Sequence, residues 1–505
     1  MKLTNSYLTL GEAFYKPCLP RQFESPTLML WNKSLASELG ITESLGSDEQ
    51  RLAELFCGKR LLPGVQPVAL AYAGHQFGNF SPQLGDGRAH LLGELEGPLG
   101  QRVDIQLKGS GPTPFSRGGD GLCAMGPALR EFVMSEAMHA LGVPTTRSLA
   151  VVATGEMLYR QSVTPGAVVT RVAASHLRVG TVQYFAAQGR HEEVKRLCDY
   201  TIDRHYPEII QAGMSSGERY LALLDAAMAR QITLVCHWMR VGLIHGVMNT
   251  DNAALSGETI DYGPCAMLGR YKPDMVFSSI DTHGRYAFNK QPDMVQWNIS
   301  RLAECLIPLV DDTEQLAVDK LVAIISTFPQ RFNAAYHDMM SEKLGLDVKS
   351  TGIGENKVLI DDLLSKMQEH GLDYTDTFNA LTEWLAENNN IAKLDKLSRE
   401  NNKNRHAQIL GHLSQFLSVW QERVMGQDLP LQACYEKMRF ANPVVIPRNH
   451  HVEACLAECI SAGSADKAMQ FLSVLMKPYE RCENTALYEA PSADDDKGYK
   501  TFCGT

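Results

Sequence analysis

One segment constrains this chain more than any other: residues 245–263, which read HGVMNTDNAALSGETIDYG. It sets Asp251 directly before Asn252 and, a few residues on, starts an Asp-Tyr-Gly at Asp261. These are hard oxygen ligands of the kind Mg²⁺ prefers, and that ion is commonly held by one or two side chains together with substrate phosphates. Asn252 and Asp261 suit the ligand role. To share an ion they must lie close, and a tight hairpin would bring them together, with 253–255 and 259–260 flanking Ser256-Gly257-Glu258. Taken singly, each residue can equally be a turn or a cap. The register to His245 and the glycine after Tyr262 argue against coincidence.

Protein kinases use a related spacing: His-Arg-Asp, four free positions and Asn, with Asp-Phe-Gly beyond. Here His245 and Asn252 keep the register, but Val247 stands where the catalytic Asp belongs. The nearest carboxylate is Asp251. Two readings follow: the chemistry is lost, or a different group performs it in a rearranged geometry. His245 itself, placed after an apolar helical run, reads as a structural residue.

Upstream, the signals alternate as in the small lobe of a kinase fold. Gly85-Asp86-Gly87-Arg88 precedes a strand-like run. Glycines there let backbone amides approach phosphate oxygens, and Arg88 adds charge; an ordinary hairpin turn explains the same residues. Val103, Ile105 and Leu107 alternate up to Lys108, and Glu131 follows on a helix expected to begin near Pro127 and to end at Gly142. A strand lysine oriented by a helix carboxylate is a kinase arrangement, whereas a lysine ending a strand is otherwise merely solvated. Asp120 and Gly121 lie in the loop between them, GSGPTPFSRGGDG, which also reads as a flexible surface loop. Arg171 and Arg178 are seven apart, two helical turns, so the spacing predicts one face that clamps a polyphosphate or forms a solvated stripe. A buried helix is expected over 220–241.

A chain of 505 residues can hold two or three domain-sized units with a large core. The net charge of -10 leaves no basic field for general nucleic-acid binding. The N-terminus lacks the apolar core of a signal peptide, and no uncharged window reaches membrane-spanning length, so a cytoplasmic protein away from membranes is expected. The 12 cysteines contain no Cys-x-x-Cys, and Cys455 and Cys459 sit at helical spacing, which favours buried thiols over a metal cluster. The expected fold is α+β: an N-terminal extension (1–65), a kinase-like small lobe (66–160), a large-lobe core (161–310) and a mainly helical C-terminal region (311–505) with a loose tail from 492. Polar linkers are expected near 350–357 and 387–404.

The motifs GHQFGNFSPQLGDGRAHLLGE, LKGSGPTPFSRGGDG, HGVMNTDN, IDYGPCAML and NPVVIPRNHHVE, spread over nearly the whole chain, resemble those of the selenoprotein O family. That resemblance implies a protein-kinase-like fold binding ATP in a flipped orientation, and transfer of AMP from ATP to Ser, Thr or Tyr hydroxyls of proteins, with UTP and Mn²⁺ as a further donor and metal. It implies that Gly85, Gly87, Arg88, Lys108, Asp120, Gly121, Arg171 and Arg178 contact the nucleotide. Asn252 and Asp261 would hold Mg²⁺ or Mn²⁺, and Asp251 would be the general base. The alternatives from the residues alone are a kinase or a silent nucleotide-binding pseudokinase. Cys503 matches the selenocysteine position of eukaryotic members, and a disulfide with Cys265 competes with a free tail thiol.

Overall fold

The structure, a computed structural model, describes residues 1–160, 162–347, 353–386, 403–494 and 496–502. Its centre is an eight-stranded antiparallel sheet. Seven strands run in the spatial order Tyr15–Pro17, Val68–Leu70, Ala89–Glu96, Arg102–Lys108, Val163–Ala173, Arg147–Tyr159 and Thr27–Trp31, and Cys123–Ala124 pairs beside Val163–Ala173. Both edge strands of that path come from the first 65 residues.

Period-two alternation in Arg102–Lys108 sorts its side chains onto two faces. Ile105 and Leu107 join Leu149, Val152, Val168 and Val172 in an apolar layer covered by the helices Lys33–Glu38, Ile41–Leu45 and Glu49–Phe56. Asp104, Gln106 and Lys108 point the other way, and all three are buried. On that second face lies the helix Met125–Ala140, packed against Arg147–Tyr159 and Val163–Ala173. Pro127 falls in its first turn, where a missing N–H costs nothing, and Gly142 follows its end in the left-handed conformation (φ 74°).

The expected buried helix is Ser216–Val241, opened by a reciprocal cap between Ser215 and Glu218 and closed by Gly242 at φ 78°. It leads into Leu243–Ile244, which pairs antiparallel with Ala266–Met267. This ladder closes the base of the 245–265 loop. The expected hairpin across Ser256-Gly257-Glu258 does not form: Ala254 pairs with Arg178, and Thr259 pairs with Thr145. A turn is present, with Gly257 N–H donating to Ala254 O at 3.1 Å. Its flanks are drawn to separate neighbours because each satisfies its backbone groups there.

The helical reading of 171–178 is also corrected. Arg171 lies on the Val163–Ala173 strand opposite Gln106, and Arg178 precedes the helix Val179–Ala186. The β-branched run around Arg171 carries the sheet through that position.

The described C-terminal region is helical, from Glu314–Ile325 through Asp466–Leu475. Residues 353–357, expected as linker, open the helix Ile353–His370, and 403–404 open Lys403–Gly426; 348–352 and 387–402 lie outside the described residues. The tail is tied down at Thr501, which is buried and whose hydroxyl donates to Pro264 O at 2.6 Å. Cys503, and with it the expected disulfide, lies outside the described residues. Among those described, no helix is long and apolar enough to cross a membrane.

Candidate active site

The centre of the site is a buried chain of alternating charges. Lys108 Nζ donates to Glu131 Oε2 at 2.6 Å and to Asp261 Oδ1 at 2.7 Å. Arg171 holds the other Glu131 oxygen, at 2.8 Å from Nε, and donates to Gln106 Oε1 at 3.3 Å. Gln106 Nε2 then donates to Asp86 Oδ2 at 3.0 Å. Arg178 stands 3.8 Å from the other Asp86 oxygen and 4.3 Å over the Tyr72 ring. Two strands, the Met125–Ala140 helix and the loop segments that carry Tyr72, Asp86, Arg178 and Asp261 therefore converge on one network.

Electrostatics follow from this arrangement. Burial alone would raise the Glu131 carboxyl, but Arg171 and Lys108 outweigh it and hold the group below the ordinary carboxylate range. Asp261 behaves likewise: burial opposes ionisation, yet Lys108 and Arg171, with Arg88, depress it well below that range. It is an anion at any working pH. Its backbone sits at φ 69°, a left-handed conformation that Asp and Asn tolerate better than most residues.

Asp251 is the opposite case. Burial pushes its carboxyl up to about 6, against the pull of Arg178. Its Oδ2 accepts from Gln76 Nε2 at 3.5 Å, a long contact, and its buried Oδ1 has no hydrogen-bond partner. The short ladder Gly74–Gln76 with Asn79–Ser81 docks on this loop through His75 N–H to Thr250 Oγ1 at 2.7 Å and Phe77 N–H to Asn249 Oδ1 at 3.0 Å. A Cβ on Gly74 would lie 2.5 Å from Asp251 Oδ1, so glycine leaves that carboxylate in place.

Asn252 donates through Nδ2 to Val247 O at 3.1 Å, which leaves its amide oxygen as the available ligand atom. Asn252 and Asp261 offer oxygen donors, the chemistry that Mg²⁺ and Mn²⁺ take. Val247 is buried. His245 stacks on Trp238 with centroids 5.1 Å apart, and its Nε2 bonds Ile260 O at 3.0 Å. Burial lowers its pKa, so the ring is neutral and Nε2 is the donor. It ties the start of the loop to the residue before Asp261.

The two glycine-rich loops are joined to one another. Gly85, at φ 68°, would place a Cβ 2.3 Å from the Phe115 ring, and one on Gly87 would sit 3.0 Å from Phe115 O. Thr113 Oγ1 donates to Asp86 O at 2.6 Å. Close packing thus accounts for both glycines. Gly121 crosses Gly111 in the same way. Asp120 is engaged by Arg160 at 2.8 and 2.9 Å near the surface, apart from the Lys108 network.

Sequence reasoning missed Asp86 as a hub, together with Gln106, Tyr72 and Gln76. Gln106 had a signal: it shares the Lys108 face of an alternating strand. Gln76 had none, because it meets Asp251 across 175 residues of chain.

The NPVVIPRNHHVE motif supports the site from behind. Asn449 accepts from Met267 N–H at 2.8 Å and donates to Met267 O at 2.9 Å, clamping the ladder below the loop.

Known proteins agree with the motifs. The family described as "Protein adenylyltransferase SelO" matches residues 1–478. A protein named "Protein nucleotidyltransferase YdiU" from Teredinibacter turnerae is 51% identical over 505 residues, covering 100% of both chains. Proteins of the same name from Pseudoalteromonas translucida and Anoxybacillus flavithermus are 48% and 47% identical, over 100% and 99% of this chain and 100% and 98% of theirs. With a family match over most of its length and relatives this similar along their whole length, the chain belongs to the SelO family of protein adenylyltransferases.

Proposed function

We propose that this protein is an enzyme that transfers AMP from ATP to hydroxyl groups of Ser, Thr or Tyr on other proteins. The observation that carries the reading is the contrast between two nearby carboxylates: Asp261 is locked ionised by Lys108, while Asp251 is buried, raised to about 6 and has an oxygen with no partner. One suits a permanent cation ligand and the other a proton acceptor, which is how two like groups divide acid-base and binding roles.

In this reading Asn252 and Asp261 hold Mg²⁺ or Mn²⁺, which when bound supplies Lewis-acid stabilisation of phosphate charge. Lys108, fixed by Glu131, and Arg88 place positive charge beside the phosphates, with Arg178 near Asp251. Arg171 is a positioning residue, since its guanidinium is committed to Glu131. Gly85, Gly87, Asp120 and Gly121 shape the loops that cover the nucleotide. The acceptor oxygen forms a bond to the α phosphorus while the bond to the bridging oxygen breaks. Pyrophosphate leaves, and the hydroxyl proton goes to Asp251. The buried Val247, unable to take a proton, fits an attack from the Asp251 side in place of γ transfer. None of these phosphate contacts reads the base, so UTP with Mn²⁺ is a further donor for the same site.

The fold that this assigns is protein-kinase-like, with residues 66–160 as the small lobe and 161–310 as the large-lobe core. The Lys108–Glu131 pair on strand and helix supports it. ATP labelled separately at the α and γ positions tests the chemistry. Label retained on protein only from the α phosphate is expected; retention from γ would indicate a kinase, and retention from neither a silent binder.

A further inference from the structure

We infer that Glu369, His370 and His412 form a second metal site, selective for Zn²⁺ or a similar late first-row divalent cation and separate from the oxygen-donor site proposed at Asn252 and Asp261. His412 Nδ1 and His370 Nε2 lie 3.1 Å apart, and a Glu369 carboxylate oxygen lies with both nitrogens inside a 4.8 Å cluster. Two imidazole ligands of a tetrahedral zinc, each about 2.0–2.1 Å from the ion, stand roughly 3.3 Å apart. The pair is therefore close to ligating distance before any ion arrives.

The fold sets this geometry. Glu369 and His370 end the helix Ile353–His370, and His412 lies on Lys403–Gly426. The two helices pack through Leu363, Met367, Leu413 and Phe416 in one apolar cluster, which fixes their register. A helix C-terminus carries partial negative charge, so a cation there is favoured by the backbone as well as by Glu369. Glu369 and His412 are exposed and His370 half-buried, which leaves an approach for the ion and a fourth position for water.

Two imidazoles with one carboxylate select a borderline ion over Mg²⁺, the reverse of the oxygen-donor site. The bound ion ties the C-terminal end of Ile353–His370 to the interior of Lys403–Gly426.

Zinc titration of the full-length, chelator-treated protein in excess Mg²⁺ tests this, with His370→Ala, His412→Gln and Glu369→Gln alongside. Wild type is expected to take up one equivalent more than either histidine variant. Glu369→Gln should bind that equivalent at least about 10-fold more weakly, the low end of what loss of even a supporting partner costs. Zinc should raise the melting temperature of wild type more than that of His412→Gln. His412 is exposed, so the metal-free His412→Gln protein should match wild type in its far-UV spectrum and melting temperature. Equal zinc uptake by wild type and the two histidine variants overturns the site. The readout is independent of nucleotide transfer, so a failure here leaves the proposed activity standing, and the reverse holds too.

Discussion

Lys108 reaches from the sheet to Asp261 across 2.7 Å, so the strand that carries the lysine and the loop that carries the candidate metal ligand are fixed to each other before nucleotide arrives. The same lysine holds Glu131 at 2.6 Å. A cation shared by the buried Glu131 and the half-buried Asp261 makes each of the three dependent on the others.

Glu131→Gln should therefore destabilise the protein. It leaves Arg171 and Lys108 with less compensating charge in a buried setting, where breaking such a pair costs about 3–5 kcal/mol. Urea denaturation should show a lower midpoint with an unchanged slope. Stability within about 0.5 kcal/mol of wild type, the range of ordinary surface changes, would contradict the network.

Asp261→Asn keeps a residue that tolerates φ 69° while removing the charge. Transfer with Mg²⁺ or Mn²⁺ should fall by about a thousandfold, a loss of roughly 4 kcal/mol of transition-state stabilisation. Turnover at the wild-type rate would remove Asp261 from the metal site.

Asp251 makes a prediction with opposite signs for activity and stability. Its folded-state pKa is raised from 3.8 to about 6, so the folded protein binds the proton more tightly than the unfolded chain does. Stability from this group is present below pH 3.8, declines as pH rises through the window up to about 6, and is absent above it. At about 1.4 kcal/mol per unit the ionised carboxylate costs up to about 3 kcal/mol at neutral pH. Asp251→Asn cannot ionise, and should be more stable than wild type at pH 8 and inactive. In wild type, kcat/KM should fall as pH drops through about 6, where the base becomes protonated. A variant no more stable at pH 8 than at pH 4, relative to wild type, would contradict the burial argument.

Gly74→Ala places a Cβ 2.5 Å from Asp251 Oδ1 and forces that side chain to move. A displaced base should lower kcat by about 100-fold, the cost of a misplacement near 1 Å, with little change in KM for ATP. Equal losses in both parameters would point to a disturbed nucleotide pocket instead.

The helix Met125–Ala140, the strand Arg102–Lys108 and the helix Ser216–Val241 were legible because their periodicity and caps are local. The short register of Asp251, Asn252 and Asp261 marked them as candidates, and the structure places all three in the ladder-closed loop. Arg171 was not: a seven-residue spacing suits two helical turns as well as a strand followed by a cap, and only pairing with Gln106 decides it. The 253–260 turn misled for the same reason, since its flanks satisfy their backbones at Arg178 and Thr145, far away in sequence. Asp86, Tyr72 and Gln76 gain meaning from long-range contacts that leave no local pattern.

The small product of the reaction bears most directly on the account. With a protein acceptor, ATP and Mg²⁺, the account predicts pyrophosphate released in step with AMP retained on protein, both lost in Asp251→Asn. ADP released in step with phosphate on protein would contradict it.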